Sequence, residues 1–284
     1  MKILSLVIIL IFTIPFCSCQ ERNNDYLRVI DSLQIGNGLT IHWSKNVILF
    51  SRPTGQINQL TGNPIYKIFQ IKKINNGWTQ SDPLDTNSSY NDYHPVFSPN
   101  GHWLYFNSTR PRPGEVDPST TANIWRVSYD DNKWGTPEYL SGINSENHES
   151  YPSITNEGHL YFNSDRPGGK GSMDIYKSEW KNGQFEEPQP VVSLNTPDSE
   201  NDLFIDPQER FIVFNRYLFE SKEIELYISF RDEQTWTKPQ PLTPLNTTGS
   251  WELTPVISPE GMYLFYELDG RVKRMALKDL VEPR

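Results

Sequence analysis

The sequence predicts an all-β chain, and three observations carry that expectation. Aromatics make up 13% of the 284 residues, with 22 Pro and 17 Gly between the apolar runs. No long window after residue 20 keeps the 3.6-residue apolar spacing of an amphipathic helix. The apolar runs are short and bounded by turn residues, as strands are. One stretch, "NSDRPGGKGSMDIY" at 163–176, suggests catalytic machinery, but related versions stand at 50–69, 106–125 and 214–227. Repetition marks architecture, so function is to be sought in what differs between copies.

From the N-terminus, "MKILSLVIILIFTIPFCSCQ" reads as an export signal over 1–19, with Lys2 before an apolar core from Ile3 to Ile14. The core is too short to span a bilayer comfortably. Both cysteines, Cys17 and Cys19, lie in it, so the mature domain cannot depend on disulfides. Cys19 follows Phe16-Cys17-Ser18, which resembles the lipobox of bacterial lipoproteins and implies lipidation at Cys19. The expected place is the periplasm or the outer membrane, with membrane contact only through that lipid. A formal charge of −9 argues against nucleic acid and anionic lipid surfaces.

The rest, 20–284, reads as one monomeric domain with a period near 51. Trp134, Phe185 and Trp236 are spaced 51 and 51, as are Asn144, Asn195 and Asn246, and Trp78 and Asn87 extend both series. Each unit holds four strand-like runs; in the third they are "YPSIT", "HLYFNS", "DIYKSEW" and "QFEEPQPV". Asn-Glu-Gly at 156–158 and Lys-Asn-Gly at 181–183 supply the positive φ that tight hairpins need. Four antiparallel strands every 50 residues or so is the form of a β-propeller blade. Five units fit: about 39–92, 93–149, 150–199, 200–249 and 250–280. The fifth stops after three strands, which would leave an open edge. "DYLRVIDSL" at 25–33 is expected to supply the missing strand, over 26–33, and close the ring.

"FSPNGHWLYFNSTRP", "ISPEGMYLFYELDG" and "SDRPGGKGSMDIY" are similar to the TolB-like, WD40-like propeller repeat: Ser-Pro-Asp-Gly, an apolar strand, Ser-Asp-Arg, a Gly loop, then Asp-Ile-Tyr. The likeness runs from residue 39 to about 280. Blade 4 departs from it with Asp206-Pro207-Gln208-Glu209, and blade 1 with Ser44-Lys45-Asn46. The resemblance implies protein contacts in the cell envelope.

Aligned on their first strands, the units place Asp92, Glu149, Glu200 and Glu252 at the strand start, and Arg110, Arg166 and Arg216 past the end of the second strand. The expected pairs are Asp92–Arg110, Glu149–Arg166 and Glu200–Arg216, one per blade at one rim. Blade 5 has Glu267 where Arg would sit, and blade 1 has Arg52 with Gly38 in the acid's place, so Arg52 is expected to serve Glu252 across the closure. The same residues are candidates for a ligand site, and carboxylates such as Glu149 and Glu200 for a glycoside hydrolase or lyase, which needs two acids in different environments. Acids that repeat with an Arg each favour structure. The sialidase box Ser-x-Asp-x-Gly-x-x-Trp is missing. Trp251 does not recur; it is read as packing between blades, or else as a sugar platform beside Glu252.

His42, His94, His102, His148 and His159 show no metal spacing, and His102 and His159 are read as solvated turn residues. No nucleophile, phosphate-binding or metalloprotease motif occurs, so no cofactor, metal or catalytic residue is expected. The reading is a binding scaffold for an envelope protein or glycan, with specificity in the least repeat-like loops, 112–122 and 217–223.

Overall fold

The computed structural model describes residues 25–33, 38–58 and 62–281. The export signal over 1–19 and Cys19 lie outside them. The described chain is a five-bladed β-propeller of antiparallel sheets. The first strands are Leu39–Ile41, Asp92–Phe97, Glu149–Ile154, Ser199–Ile205 and Glu252–Ile257. Each pairs with a second strand, which pairs with a third. In blades 1 to 4 the fourth position is held by two-residue pieces, such as Gln184–Phe185 and Gln189–Pro190, rather than one continuous strand. Prolines 83, 190 and 241 sit in these pieces. Pro has no N–H for a central ladder, and only an outer edge tolerates it.

The recurrent asparagines supply what those edges lack. Asn144 Oδ1 accepts the Ile124 N–H (2.7 Å) while its Nδ2 donates to the Ile124 carbonyl (2.8 Å). Asn87 does the same with Ile68, Asn195 with Ile175 and Asn246 with Leu226. One side-chain amide thus imitates one rung of a strand, which explains why these residues keep the blade period.

Successive residues of the second strands point to opposite neighbours, so each blade shares two cores. Leu104 and Phe106 join a cluster with Val47, Leu49 and Ile68 of blade 1, whereas Tyr105 joins Leu160 and Phe162 of blade 3. The same interleaving joins blades 3 and 4 and blades 4 and 5. Trp134 lies in such a core, stacked on Phe97 with an interplanar angle of 20°.

The closure departs from expectation. Residues 26–33 form no strand; Asp25–Asp31 is a helix. Tyr26, Leu27 and Ile30 are buried in the seam between blade 1 and blade 5, among Ile48, Phe50 and Phe265. The spacing of these residues is helical. In a strand, Arg28 would share the face of Tyr26 and Ile30. Seven residues are too few to hold a helix alone, so docking decides it. Tyr26 Oη donates to Glu260 Oε1 (2.5 Å), Arg274 pairs with Asp31 (3.0 Å) and Lys73 with Asp25 (3.1 Å). The helix therefore straps the first blade to the last. Blade 5 keeps three strands, and its outer strand Arg271–Ala276 carries Arg271, Lys273 and Arg274, charges that oppose edge-to-edge pairing.

Candidate functional site

The acids at the first-strand starts are joints between blades. Asp92 is fully buried; its Oδ1 accepts Arg110 Nη2 (2.7 Å) and Ser108 Oγ (2.6 Å), and its Oδ2 accepts Ser88 N and Oγ. Glu149 accepts Arg166 Nη2 (2.9 Å), Ser164 Oγ and both donors of Ser145. Glu200 accepts Arg216 Nε (2.7 Å) and both donors of Thr196. Ser88, Ser145 and Thr196 each follow the rung-forming asparagine of the preceding blade. Each acid therefore binds the linker arriving from one blade and the arginine of its own. Each arginine also lies over two aromatic rings; Arg166 is 5.1 Å from Phe162 and 5.3 Å from Tyr176.

Blade 5 breaks the series. Glu252 is fully buried, accepts Thr247 N (3.0 Å), and has no partner at Oε2; burial pushes its carboxyl above the usual range. Arg52 does not serve it. Arg52 lies 3.9 Å from the centroid of Phe69, and among the described residues no ion pair joins it to Glu252. The expected partnership rested on a misplaced equivalence. Gly38 (φ 82°) corresponds to His94, Tyr151, Asp202 and Thr254 (φ 52°, 52°, 43° and 48°), each standing two residues after an acid. The acid's place in blade 1 is thus residue 36, outside the described residues. A Cβ on Gly38 would lie 2.8 Å from His94 Cα, so both φ and space demand glycine.

Those of blades 2 to 5 are bulges, where the first strand slips by one against the second, and Gly38 shares their positive φ. They ring the central channel. Left-handed φ is unusual for non-glycine residues, most of all for β-branched Thr254. Behind them the second strands present Ser51, Asn107, Asn163, Asn215 and Glu267; register pairs Tyr93 with Asn107, Asn201 with Asn215 and Leu253 with Glu267. Glu267 therefore holds the asparagine position, not the arginine one. The layers interlock: His94 N donates to Ser51 Oγ (2.9 Å), while Thr254 N and Asn215 Nδ2 donate to Asp202 Oδ2 (3.0 and 2.7 Å).

Two acids of the channel core, Asp202 and Glu267, are buried and form no ion pair among the described residues. Burial pushes Asp202 up to about 6, against the opposing pull of the Thr254 backbone and the Tyr151 and Asn215 side chains. Burial, and then the charge of Asp202, pushes Glu267 up to about 7. The imidazole of His94, edge-on to Tyr151 at 4.7 Å, is held neutral because burial pushes it down to about 3. These groups were legible only as exceptions: "FN", "FN", "FN" and then "YE" at the ends of four second strands.

The two faces differ. Where the first strands end, a funnel of about 370 Å³ opens between Thr40, Val96, Ser153, Phe204 and Val256. The acid–arginine joints, loop 112–122 and loop 217–223 lie on the opposite face. There Trp251 is 56% exposed, which overturns its packing between blades; it bridges Ile224, whose strand neighbour is Tyr217. Phe219 is 48% exposed and meets Tyr217 edge-on at 5.5 Å.

Among the remaining histidines, His159 is not solvated. Its Nδ1 accepts Trp180 N (3.0 Å), so the proton of the neutral ring sits on Nε2, facing Glu157 Oε2 (3.2 Å). Glu157, His159 and Glu209 lie close enough to suggest a metal site. The imidazole has no lone pair left to give, and Glu209 Oε1 already takes Tyr161 Oη and Lys177 Nζ. His102, half exposed, meets Asp130 at 2.5 Å.

No family model and no curated protein matches the chain. Its fold is similar to that of putative TolB from Agrobacterium tumefaciens (TM-score 0.55, 13% identity, covering 85% of this chain and 76% of that one). It is similar also to an endo-arabinase from Bacteroides thetaiotaomicron (0.57, 12%, 87% and 95%) and an α-L-arabinofuranosidase from Lactobacillus brevis (0.54, 11%, 87% and 92%). At such identities the likeness speaks to fold, and one fold hosts binding proteins and hydrolases alike.

Proposed function

We propose that the chain is a non-enzymatic binding scaffold of the bacterial cell envelope, docking a protein partner on the face that carries the acid–arginine joints. The observation that carries this reading is the pair of exposed aromatics Trp251 and Phe219, more than half and nearly half exposed, Phe219 just past the second strand of blade 4 in loop 217–223 and Trp251 just before the first strand of blade 5. Large aromatics on a rigid support are the residues that dominate docking energies. Val116, 87% exposed in loop 112–122, adds an apolar contact on the same face. Against hydrolysis stands the state of the acids. Asp92, Glu149 and Glu200 are fully buried and each holds an arginine, and Asp202 and Glu267 are 3% and 6% exposed. A glycosidase needs two carboxyls that a sugar can reach.

The test pairs a pull-down from envelope extract with a glycan array and a panel of polysaccharides. The expected result is one captured protein, lost in Trp251→Ala/Phe219→Ala with thermal stability within about 2 °C of wild type, exposed side chains carrying little stability. Binding to the array instead would favour a glycan stacked on Trp251. Turnover of any polysaccharide that disappears in Glu149→Gln or Glu200→Gln would overturn the scaffold reading.

Export belongs to the same proposal. Among the described residues no helix is long and apolar enough to cross a membrane. Lipid at Cys19 would tether the domain through the segment before the Asp25–Asp31 helix. Radioactive palmitate should label wild type and not Cys19→Ala; equal label in both would refute the anchor.

A further inference from the structure

A cavity at the closing seam runs against the charge of the chain. It measures about 840 Å³ and lies between the Asp25–Asp31 helix and the outer part of blade 1. Arg28 of the helix and Arg52 of the second strand both line it, and no acid does. The chain as a whole carries a formal charge of −9, so two arginines without a carboxylate make this wall an exception. Among the described residues neither guanidinium has a hydrogen bond or an ion pair. The two acids of the helix are taken, Asp25 by Lys73 (3.1 Å) and Asp31 by Arg274 (3.0 Å).

Arg52 is a joint arginine whose acid is missing. It lies 6.0 Å from the Phe50 ring and 3.9 Å from Phe69, as Arg216 lies 5.7 Å from Phe214 and 4.4 Å from Tyr227. The sequences agree, Phe-Ser-Arg at 50–52 against Phe-Asn-Arg at 214–216. Arg216 holds Glu200 at 2.7 Å, whereas residue 36, in the acid's place of blade 1, is an isoleucine. Blades 2, 3 and 4 each close their arginine with a buried carboxylate, so blade 1 offers half of that joint to the cavity.

We propose that this cavity binds a small organic dicarboxylate, one carboxylate on Arg52 in the role of the absent joint acid and the other on Arg28. The volume suits a small molecule, and guanidinium forks take carboxylates in bidentate fashion. Thr79 Oγ1 accepts Lys72 N (3.0 Å) and so keeps its own proton for a ligand oxygen. Leu33 and Trp78, both partly buried, give the carbon skeleton an apolar wall. The ligand would tie the helix to blade 1 across the seam. The site shares no residue with Trp251, Phe219 or loop 112–122, and so stands apart from the docking face.

The test uses the full chain as the cell processes it. It is titrated with succinate, glutarate, adipate and isophthalate, and with inorganic phosphate and neutral glutaramide for comparison, by calorimetry and thermal unfolding. At least one dicarboxylate should bind one to one and raise the Tm by about 3–5 °C for each tenfold rise in free ligand above Kd. Phosphate, with no carbon to lay on Leu33 and Trp78, should bind about tenfold more weakly or worse, and the diamide not at all. Arg28 is exposed, so Arg28→Gln should fold as wild type does and lose about tenfold or more in affinity. Arg52→Gln should lose binding, and Lys133→Gln, an exposed base of blade 2, should bind as wild type does. Ligand should also slow amide exchange over residues 26–31, because a helix this short depends on what anchors it. No binding by any of the dicarboxylates, or phosphate as tight as the best of them, would overturn the proposal. So would an affinity unchanged in Arg28→Gln, which would place the anion elsewhere.

Discussion

Arg166→Met is expected to destabilise the propeller by about 3–5 kcal/mol, the loss that follows when one partner of a buried ion pair is removed. Glu149 has no solvent exposure, so its charge has nowhere else to turn. Its remaining contacts, Ser145 N, Ser145 Oγ and Ser164 Oγ, are hydrogen bonds without a countercharge. Methionine keeps apolar cover over Phe162 and Tyr176, so the loss reports charge rather than packing. Arg166 Nη2 also donates to the Ile143 carbonyl (2.5 Å), which ties blade 2 into the same joint. Urea unfolding is the measurement, and the double variant Glu149→Gln/Arg166→Met should recover most of the loss, because neutral partners carry no desolvation debt. A loss below about 1 kcal/mol is what a solvated surface pair would give, and it would contradict the burial.

The second large effect is a stability that falls as pH rises, through the channel acids. Burial pushes Glu267 up to about 7 in the folded chain, from an ordinary value of 4.5 that the unfolded chain restores. Between those values the folded state holds the proton and the unfolded state has released it, so stability decreases with pH across that window and levels off above it. The span corresponds to roughly 3 kcal/mol. Asp202, near 6 when folded, acts with the same sign between about 4 and 6. Glu267→Gln should therefore match wild type at pH 4 and exceed it at pH 8 by roughly 3 kcal/mol, since a neutral amide needs no counter-charge. His94 stays neutral across this range, and Tyr93, pushed up to about 12, does not titrate in it. Equal pH profiles for wild type and variant would show that Glu267 is not the group responsible.

Local chemistry made the blades legible. Short apolar runs, Asn-Gly type turns and a 51-residue spacing can be read along the chain without its fold, and the acid–arginine pairs followed from antiparallel neighbours at the ends of two adjacent strands. The asparagine series was visible as a spacing, while its meaning, one side chain standing for one rung, needed the third strand beside it.

What the sequence determined by itself was the repeat: five antiparallel units, their turns, and three acids facing three arginines. Those features depend on residues within one blade, the acid–arginine pairs 16 to 18 positions apart, where the geometry of adjacent antiparallel strands leaves little choice. The tertiary structure decided the exceptions. Residues 25–31 have an apolar pattern too short to choose between helix and strand, and the gap between blade 5 and blade 1 chose helix by burying Tyr26, Leu27 and Ile30 together. Arg52 and Glu252 matched as a pair on paper because Gly38 was set against the acids instead of against the positive-φ residues two places after them, and positive φ is invisible in a letter. Asp202 and Glu267 lie 65 positions apart, and only the closing of the ring buries both carboxyls in one channel core, where the charge of Asp202 raises the cost of charging Glu267.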